Sequence, residues 1–228
     1  DVVPEFLMLL HGVIDSPDIP LNVSRSYLQS DGNVKKINSY ITKKVADKLT
    51  ELYKDDRKSY EEKWKDINLF VKYGMISEEK FYEKVEKIAL LQSLDNKMRT
   101  FEEYKKFVSK TQKDKDKNTV ILYSNDAEKQ DSYIEDAKKR NYDVVLFDNV
   151  IDSHYINHIE QKLDKVQIKR VDADILDKLI DKDEKTETVI KDEDKESLKK
   201  LFEKIINNQS TVVNVESLNP DESPVIIT

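Results

Sequence analysis

The spacing of apolar residues changes near the middle of this chain, and that change limits the folds open to it. Between residues 34 and 52 the apolar positions recur every three or four residues, which is the spacing of one buried helix face. They are Val34, Ile37, Ile41, Val45, Leu49 and Leu52. Residues 119–123 read TVILY and residues 143–147 read DVVLF, short apolar runs that are typical of buried strands. We therefore expect a helical segment followed by a small α/β unit.

Three more helices are predicted before residue 112. Gly74 is placed where a C′ glycine would end the second helix, Ser77 is a candidate cap of the third, and Thr100 with Glu103 forms a capping box for the fourth. The inward residues of the second and third helices are Tyr60, Trp64, Ile67, Val71, Phe81, Val85, Ile88 and Leu91. Because Trp64 lies on this apolar stripe, we interpret it as a core residue and not as a ligand contact.

Strands and helices alternate in the second half of the chain. We predict strands at 119–123, 143–147 and 166–171, with helices at 126–140 and 151–161 between them. A strand, a helix and a strand in this order form a parallel βαβ unit by default. The predicted fold class is therefore α/β (α+β), with a helical segment followed by a small three-layer unit whose sheet is mostly parallel.

The predicted domain boundaries follow the composition. Residues 1–181 form the first domain, in which 1–112 are mainly helical and 113–181 make up the α/β part. Residues 182–228 are an acidic linker and the beginning of a further α/β domain, with an amphipathic helix from Ser197 to Ile206 and a strand at 211–215. Since the apolar run that ends the sequence has no partner after it, we expect a piece of a longer protein.

Composition excludes several kinds of site. The chain has no Cys, so thiolate chemistry and disulfides are excluded, and its 3 Gly cannot supply a glycine-rich phosphate loop. Acidic residues interleave with the lysine blocks and the net charge is −7, so we expect solvated helix faces and no nucleic acid partner. His154 and His158 are four apart but lack the glutamate of a zinc motif, and we interpret them as surface residues with no metal. No apolar run is long enough for a membrane helix.

One proline-braced segment has the residue types of a phosphate site. Pro20 precedes a predicted short helix in which Arg25 and Gln29 share one face, with Asn22 at its start. A guanidinium donates two parallel hydrogen bonds to phosphate oxygens and stays charged. From these residues alone, Arg25 either binds a phosphate or pairs with a surface carboxylate.

The same segment resembles a family signature. Residues 12–29 read GVIDSPDIPLNVSRSYLQ, which is similar to the G-[VL]-[VI]-D-S-x-D-[LI]-P-L-N-[VI]-S-R-E-x-L-Q signature of the 90-kDa heat-shock chaperone family. Weaker similarity extends along the chain, at residues 4–6, 121–124, 142–146, 151–152 and 223–228. The chain has a compact middle segment without a long charged insert, and in this it resembles the bacterial form of the family.

The resemblance implies the middle domain and the start of the C-terminal dimerisation domain of an ATP-driven, homodimeric, cytoplasmic chaperone. It implies that Arg25 reaches the γ-phosphate of ATP, with Gln29 and Asn22 in the same catalytic loop. ATP and its Mg²⁺ would be held by the protein's own N-terminal domain, so this chain alone would be inactive and would hold no cofactor. Unfolded client proteins are the other implied partners.

Two alternatives remain open. In the first, the chain is a protein-interaction module with no part in ATP hydrolysis, and Arg25 is only structural. In the second, the sheet at 119–171 belongs to a free-standing enzyme, which we disfavour because its strand ends carry no glycine-rich turn and no nucleophile–base pair.

Overall fold

Three successive helices form the first part of the molecule. The computed structural model describes residues 3–8, 32–174, 176, 180, 192–206, 211–215 and 225. Helices α1 (Gly32–Asp55), α2 (Arg57–Ser77) and α3 (Glu79–Val85) are each separated by a single residue. The carboxylate of Asp56 accepts a hydrogen bond from the Ser59 N–H and so caps α2. The long amphipathic helix predicted from the apolar stripe is confirmed as α1.

Two predicted helix ends are wrong. Helix α2 passes through Gly74 and continues to Ser77, so this glycine is not a terminator. A Cβ at Gly74 would lie 2.7 Å from Cδ2 of Phe6 and 2.8 Å from Cδ1 of Phe81, so the glycine allows close packing. Ser77 does not cap α3, because its hydroxyl donates to the carbonyl of Tyr73.

The third helix is shorter than predicted and a hairpin follows it. Helix α3 ends at Val85, and strand β1 (Leu90–Gln92) pairs antiparallel with strand β2 (Met98–Thr100). Ile88 and Leu91 are buried as expected, but they lie after the helix. A short apolar run fits a helix face and a strand equally well, which is why spacing alone gave the wrong element.

The predicted capping box is confirmed at the start of α4 (Phe101–Phe107). The Glu103 N–H donates to Oγ1 of Thr100 at 3.2 Å, and the Thr100 N–H donates to Oε2 of Glu103 at 2.7 Å. The same glutamate accepts a hydrogen bond at 3.0 Å from the guanidinium of Arg57. This ion pair connects the beginning of α2 with the beginning of α4.

The predicted parallel α/β unit is confirmed. Its elements are β3 (Thr119–Ser124), α5 (Asp131–Lys139), β4 (Val144–Leu146), α6 (Asp152–Lys162) and β5 (Val166–Arg170). Strand β3 is central, and β4 and β5 pair with it on either side, both in parallel. Asn141 ends the turn after α5 with a φ of 60°, a conformation that asparagine tolerates better than most residues.

Alternate residues of β3 belong to two different cores. Val120 and Leu122 pack in a cluster with Ile134 of α5. Ile121 belongs to a larger cluster that includes Trp64 of α2, many residues of the first three helices and the inner side of α6. The sheet is therefore covered on both faces, and the helical part shares a continuous core with one of them. Trp64 is buried, which confirms its predicted place in the core.

The described residues beyond position 190 differ in part from the prediction. Helix α7 (Asp192–Ile206) is present and starts earlier than expected, whereas residues 211–215, predicted as a strand, form none in the structure. Exposed apolar side chains of α7 are Leu198, Leu201, Ile205 and Ile206. Most of the predicted acidic linker lies outside the described residues. Among the helices of the described part of the chain, none has the length and apolar character that crossing a membrane requires.

Candidate functional site

The predicted site residues Asn22, Arg25 and Gln29 lie outside the residues that the structure describes, as does the short helix expected to carry them. The structure does describe the chain on both sides of this segment, which we call the arginine segment (residues 9–31). Residues 3–8 precede this segment in the chain, and α1 follows it. The geometry of these two flanks is what the structure contributes to the site.

The entry to the arginine segment is a single 3-10 turn, Glu5–Leu7, which we call the lead turn. Phe6 and Leu7 are 2% and 1% exposed. The Phe6 ring lies 4.7 Å from the Phe81 ring, centroid to centroid, and its edge fits over Gly74. Full burial of one such side chain contributes roughly 1.5–3 kcal/mol, so the lead turn is firmly seated on α2 and α3.

The exit from the arginine segment is the first turn of α1. The helix begins at Gly32, and Val34 is already buried at 3% exposure. Further along, Ala46 and Leu49 join the same core cluster as Phe6. Both flanks of the segment are therefore attached to one three-helix unit.

A buried ion pair joins α2 to α6, and its α2 residue is two positions before the glycine that contacts the lead turn. Nζ of Lys72 is 2.6 Å from Oδ1 of Asp152, the first residue of α6, and both side chains are almost fully buried. Oδ2 of Asp152 accepts the N–H of Asn149 at 2.9 Å. The Lys72 ammonium also lies 5.1 Å from the centre of the Phe147 ring and 5.6 Å from that of Tyr155. Burial lowers the pKa of Lys72, and the charge of Asp152 only partly opposes this.

The next residues of α2 contact both the lead turn and α6. Tyr73 faces the Glu5 carboxylate, and its pKa is raised by desolvation and by that negative charge. Gly74 receives Phe6. Met75 accepts a hydrogen bond from the hydroxyl of Tyr155 at 3.7 Å. Residues 72–75, which we call the junction turn, thus contact the entry of the arginine segment and the first turns of α6.

A second polar cluster holds the hairpin against β4. The Ser93 hydroxyl donates to the carboxylate of Asp143 at 2.6 Å and accepts a hydrogen bond from Arg99 at 3.1 Å. The Asp143 N–H donates to Oε1 of the fully buried Gln112, while the Tyr104 hydroxyl donates to the Asp143 carbonyl. Burial raises the pKa of Asp143, although the Ser93 hydrogen bond opposes it. Every contact serves the packing of two elements, so we interpret the cluster as structural.

The carboxyl ends of the sheet strands do not support a free-standing enzyme. Ser124, at the end of β3, is fully buried and donates to Oε1 of Gln130 at 2.8 Å. Arg170, at the end of β5, forms an ion pair with Asp172. Ser124 is hydrogen-bonded within the fold, as buried polar groups usually are, and the exposed Arg170 has a partner in its own loop.

The two histidines differ from each other. His154 is exposed, as predicted. The prediction of a surface position is wrong for His158, which is half-buried with its ring 5.5 Å from that of Tyr82, edge to face. Its Nε2 is buried and has no hydrogen-bond partner within the described part of the chain. Over those same residues, no group of three acidic or histidine side chains is placed to hold a metal ion.

The lysine blocks lie on solvated helix faces, as predicted. Lys35 and Lys36 on α1 and Lys199 on α7 are exposed. On α5, Lys138 pairs with Glu135 at 2.8 Å and Lys139 with Asp136 at 3.0 Å, both within one helical turn. Such exposed pairs contribute little to stability.

The comparisons with known proteins agree with the signature at residues 12–29. The family model described as Hsp90 protein matches residues 1–228, so the chain belongs to the Hsp90 family. Within that family, bacterial proteins named chaperone protein HtpG align with the whole chain. The relative from Bacteroides thetaiotaomicron is 48% identical over 230 aligned residues, which are 100% of this chain and 34% of the relative. That from Porphyromonas gingivalis is 49% identical with the same coverage.

A more distant relative gives the same assignment. HtpG of Bdellovibrio bacteriovorus is 30% identical over 182 residues, 76% of this chain and 28% of that protein. The family resemblance, including its bacterial form, is therefore confirmed. The chain spans about a third of the length of the more similar relatives.

Proposed function

We propose that this chain is the arginine-supplying part of an ATP-driven chaperone that assists protein folding. The observation that carries the proposal is the signature at residues 12–29, which contains Arg25, in a chain that belongs to the Hsp90 family along its whole length. In this proposal ATP and its Mg²⁺ are held by an N-terminal domain of the longer protein. Arg25 is delivered to them when that protein closes.

The chemistry requires a cation at one moment of the reaction. Transfer of the γ-phosphoryl group to water spreads negative charge over the phosphoryl and leaving-group oxygens. The guanidinium of Arg25 stabilises that charge with paired hydrogen bonds, and Gln29 and Asn22 supply polar contacts beside it. An arginine supplied in this way accelerates other phosphoryl transfers by about 10³–10⁵.

The described flanks support this role. The lead turn packs against α2 and α3, and Val34 in the first turn of α1 is buried, so packing holds the chain on both sides of the segment. A catalytic group must be held close to its productive geometry, since small displacements greatly reduce the rate. A segment tied at both ends to packed helices meets this requirement better than a free linker would.

The remaining parts of the proposal concern the whole protein. They are a homodimer, unfolded or partly folded proteins as clients, and a cytoplasmic location. The middle-domain assignment of residues 1–181, with 182–228 as linker and the start of a dimerisation domain, belongs to the same proposal.

A second candidate function is a protein-interaction module with no part in ATP hydrolysis. The observation that favours it is the apolar face of α7, where Leu201 and Ile205 are 53% and 69% exposed. Exposed apolar patches of this kind mark interaction surfaces. In this alternative Arg25 has no contact with nucleotide.

Binding in trans separates the two functions. The isolated N-terminal domain of the longer protein is titrated with this chain, with and without a non-hydrolysable ATP analogue. The first proposal predicts tighter binding with the analogue and loss of that gain in Arg25→Ala. Arg140→Ala, which removes an arginine from the end of α5, should retain the gain. Binding that ignores the analogue, or an Arg25→Ala variant that behaves as wild type, would favour the interaction module.

A further inference from the structure

We propose that the carboxylate of Glu160 closes the outer edge of the parallel sheet, so that no strand from another polypeptide pairs with β5. The partner that this edge would otherwise take is an extended polypeptide segment, which adds to a sheet through main-chain hydrogen bonds. Glu160 and β5 both lie within the described residues, and this role is independent of that of Arg25.

Strand β5 lies at one end of the sheet, which has the order β4–β3–β5. Its inner side pairs with β3, and just after β5 the Val171 N–H donates to the carbonyl of Tyr123 at 2.8 Å. The backbone groups of successive residues in a strand point to opposite sides. Those of Val166, Ile168 and Arg170 therefore point to the outer edge, and no strand of the described part of the chain pairs with them.

The two edges of the sheet are covered in different ways. At the β4 edge, Ser93 forms an antiparallel bridge with Val145, and the Leu94 N–H donates to the carbonyl of Val144 at 3.0 Å. Main chain next to the hairpin therefore occupies the outer side of β4. An unpaired edge is a template for pairing with other chains, and proteins block such edges with charged side chains among other means. At the β5 edge, a side chain takes the place that main chain has at β4.

That side chain is Glu160, in the last turn of α6. Its Oε1 accepts a hydrogen bond at 2.8 Å from the backbone N–H of Ile168, a short bond strengthened by the charge of the acceptor. Ile168 is the middle one of the three outward-pointing residues, so its loss as a donor leaves no two successive donors on this edge. A carbonyl oxygen of an incoming strand would need the position of Oε1, and the negative charge of the carboxylate repels it.

Packing holds Glu160 at the edge. The preceding residue, Ile159, belongs to the same buried cluster as Val166 and Ile168 of β5. Only residues 163–165 separate the end of α6 from β5. The helix that carries the carboxylate is therefore fixed against the strand whose edge it covers.

The test uses the full-length chaperone and a peptide that readily forms strands. Glu160→Ala removes the acceptor and frees the Ile168 N–H, whereas Glu160→Gln keeps an oxygen at the same position and is the matched control. Glu83→Ala removes an exposed carboxylate from α3 and controls for the loss of one negative charge. The probe is a fluorescent peptide of alternating valine and threonine residues with a lysine at each end, and its binding is followed by fluorescence anisotropy.

We expect Glu160→Ala to bind the peptide at least about tenfold more tightly than wild type does, because a backbone donor becomes available to the added strand. Glu160→Gln and Glu83→Ala should stay within about twofold of wild type. The same peptide N-methylated at every second residue cannot pair along one edge and should show no gain. Equal binding by Glu160→Ala and wild type would overturn the proposal. So would an equal gain in Glu160→Gln, or a gain that N-methylation does not remove.

Hydrogen exchange locates the added strand. Without peptide, the Ile168 amide should exchange faster in Glu160→Ala than in wild type or Glu160→Gln, because it has lost its acceptor. With the peptide bound, residues 166–170 of Glu160→Ala should become protected. Peptide binding that protects other residues and leaves β5 unchanged would contradict strand addition at this edge. ATP hydrolysis does not enter either measurement, so a failure here leaves the proposed function of Arg25 intact.

Discussion

Lys72 and Asp152 carry opposite charges inside the molecule, and their contribution depends on both being present. Asp152→Ala leaves the ammonium buried without its partner, so we predict a loss of about 3–5 kcal/mol in the free energy of unfolding. The neutral pair Lys72→Met/Asp152→Asn should lose much less. Urea unfolding followed by the fluorescence of Trp64, the only tryptophan, measures both. Equal losses in the two variants would show that the charges are not the cause.

The buried carboxyl group of Asp143 leads to a prediction about how stability depends on pH. Burial raises its pKa in the folded protein, so the folded state binds this proton more tightly than the unfolded state. The cost of ionising it is fully present above the folded pKa and disappears below the unfolded value of about 3.9. Asp143→Asn keeps an oxygen for the Ser93 hydroxyl and should raise the free energy of unfolding at pH 7.

The comparison of pH 7 with pH 4 checks this sign. The advantage of Asp143→Asn over wild type should shrink as the pH falls. Asp126 is a useful contrast, since its hydrogen bond with Lys129 lowers its pKa, and Asp126→Asn should not gain stability at pH 7. A gain for Asp143→Asn that is the same at both pH values would contradict the account.

Single residues were predictable from the sequence only where their partners are close in the chain. The capping box of Thr100 and Glu103 spans one turn and is confirmed, and Trp64 on its apolar stripe is buried. The pair of Lys72 and Asp152 spans 80 positions, so no local spacing indicates it. Arg25 was identified by its segment, and its role stays a prediction.

At the scale of elements, the capping box of α4 makes a measurable contribution to the free energy of unfolding. Thr100→Ala removes the oxygen that accepts the Glu103 N–H, and we predict a loss of about 0.5–2 kcal/mol in unfolding free energy. Thr111→Ala is the matched control, because its hydroxyl makes only a long contact of 3.4 Å with the Val108 carbonyl. Thermal or urea unfolding measures both variants. An equal effect of the two substitutions would mean that the cap does not stabilise the helix.

Elements with a long regular pattern were predicted better than short ones. The period of α1 and the apolar runs of β3 and β4 gave the correct elements and their parallel order. Ile88 and Leu91 were assigned to a helix because a short buried run has no period of its own. Gly74 was interpreted as the residue that ends the helix, because nothing in the local sequence indicates its contact with Phe6, which is distant in the chain.

At the scale of the whole molecule, one core crosses from the helices to the sheet. Ile121 of β3 and Trp64 of α2 belong to the same buried cluster. We predict that Ile121→Ala lowers the free energy of unfolding by about 2–5 kcal/mol, and that Trp64 fluorescence and β3 amide signals report the same transition. Leu201→Ala on the exposed face of α7 should change the free energy of unfolding by only about 0.5 kcal/mol. Separate transitions for the two probes would contradict a shared core.

The central claim concerns the whole protein and the guanidinium of Arg25, and single-turnover hydrolysis tests it most directly. ATP is mixed with a saturating excess of the full-length chaperone so that all of it is bound and is hydrolysed once, and the rate of phosphate formation is compared for wild type, Arg25→Ala and Arg140→Ala. The account predicts that Arg25→Ala still binds ATP but loses most of this rate, up to about 10³–10⁵, while Arg140→Ala keeps it. A wild-type rate in Arg25→Ala with ATP bound would contradict it.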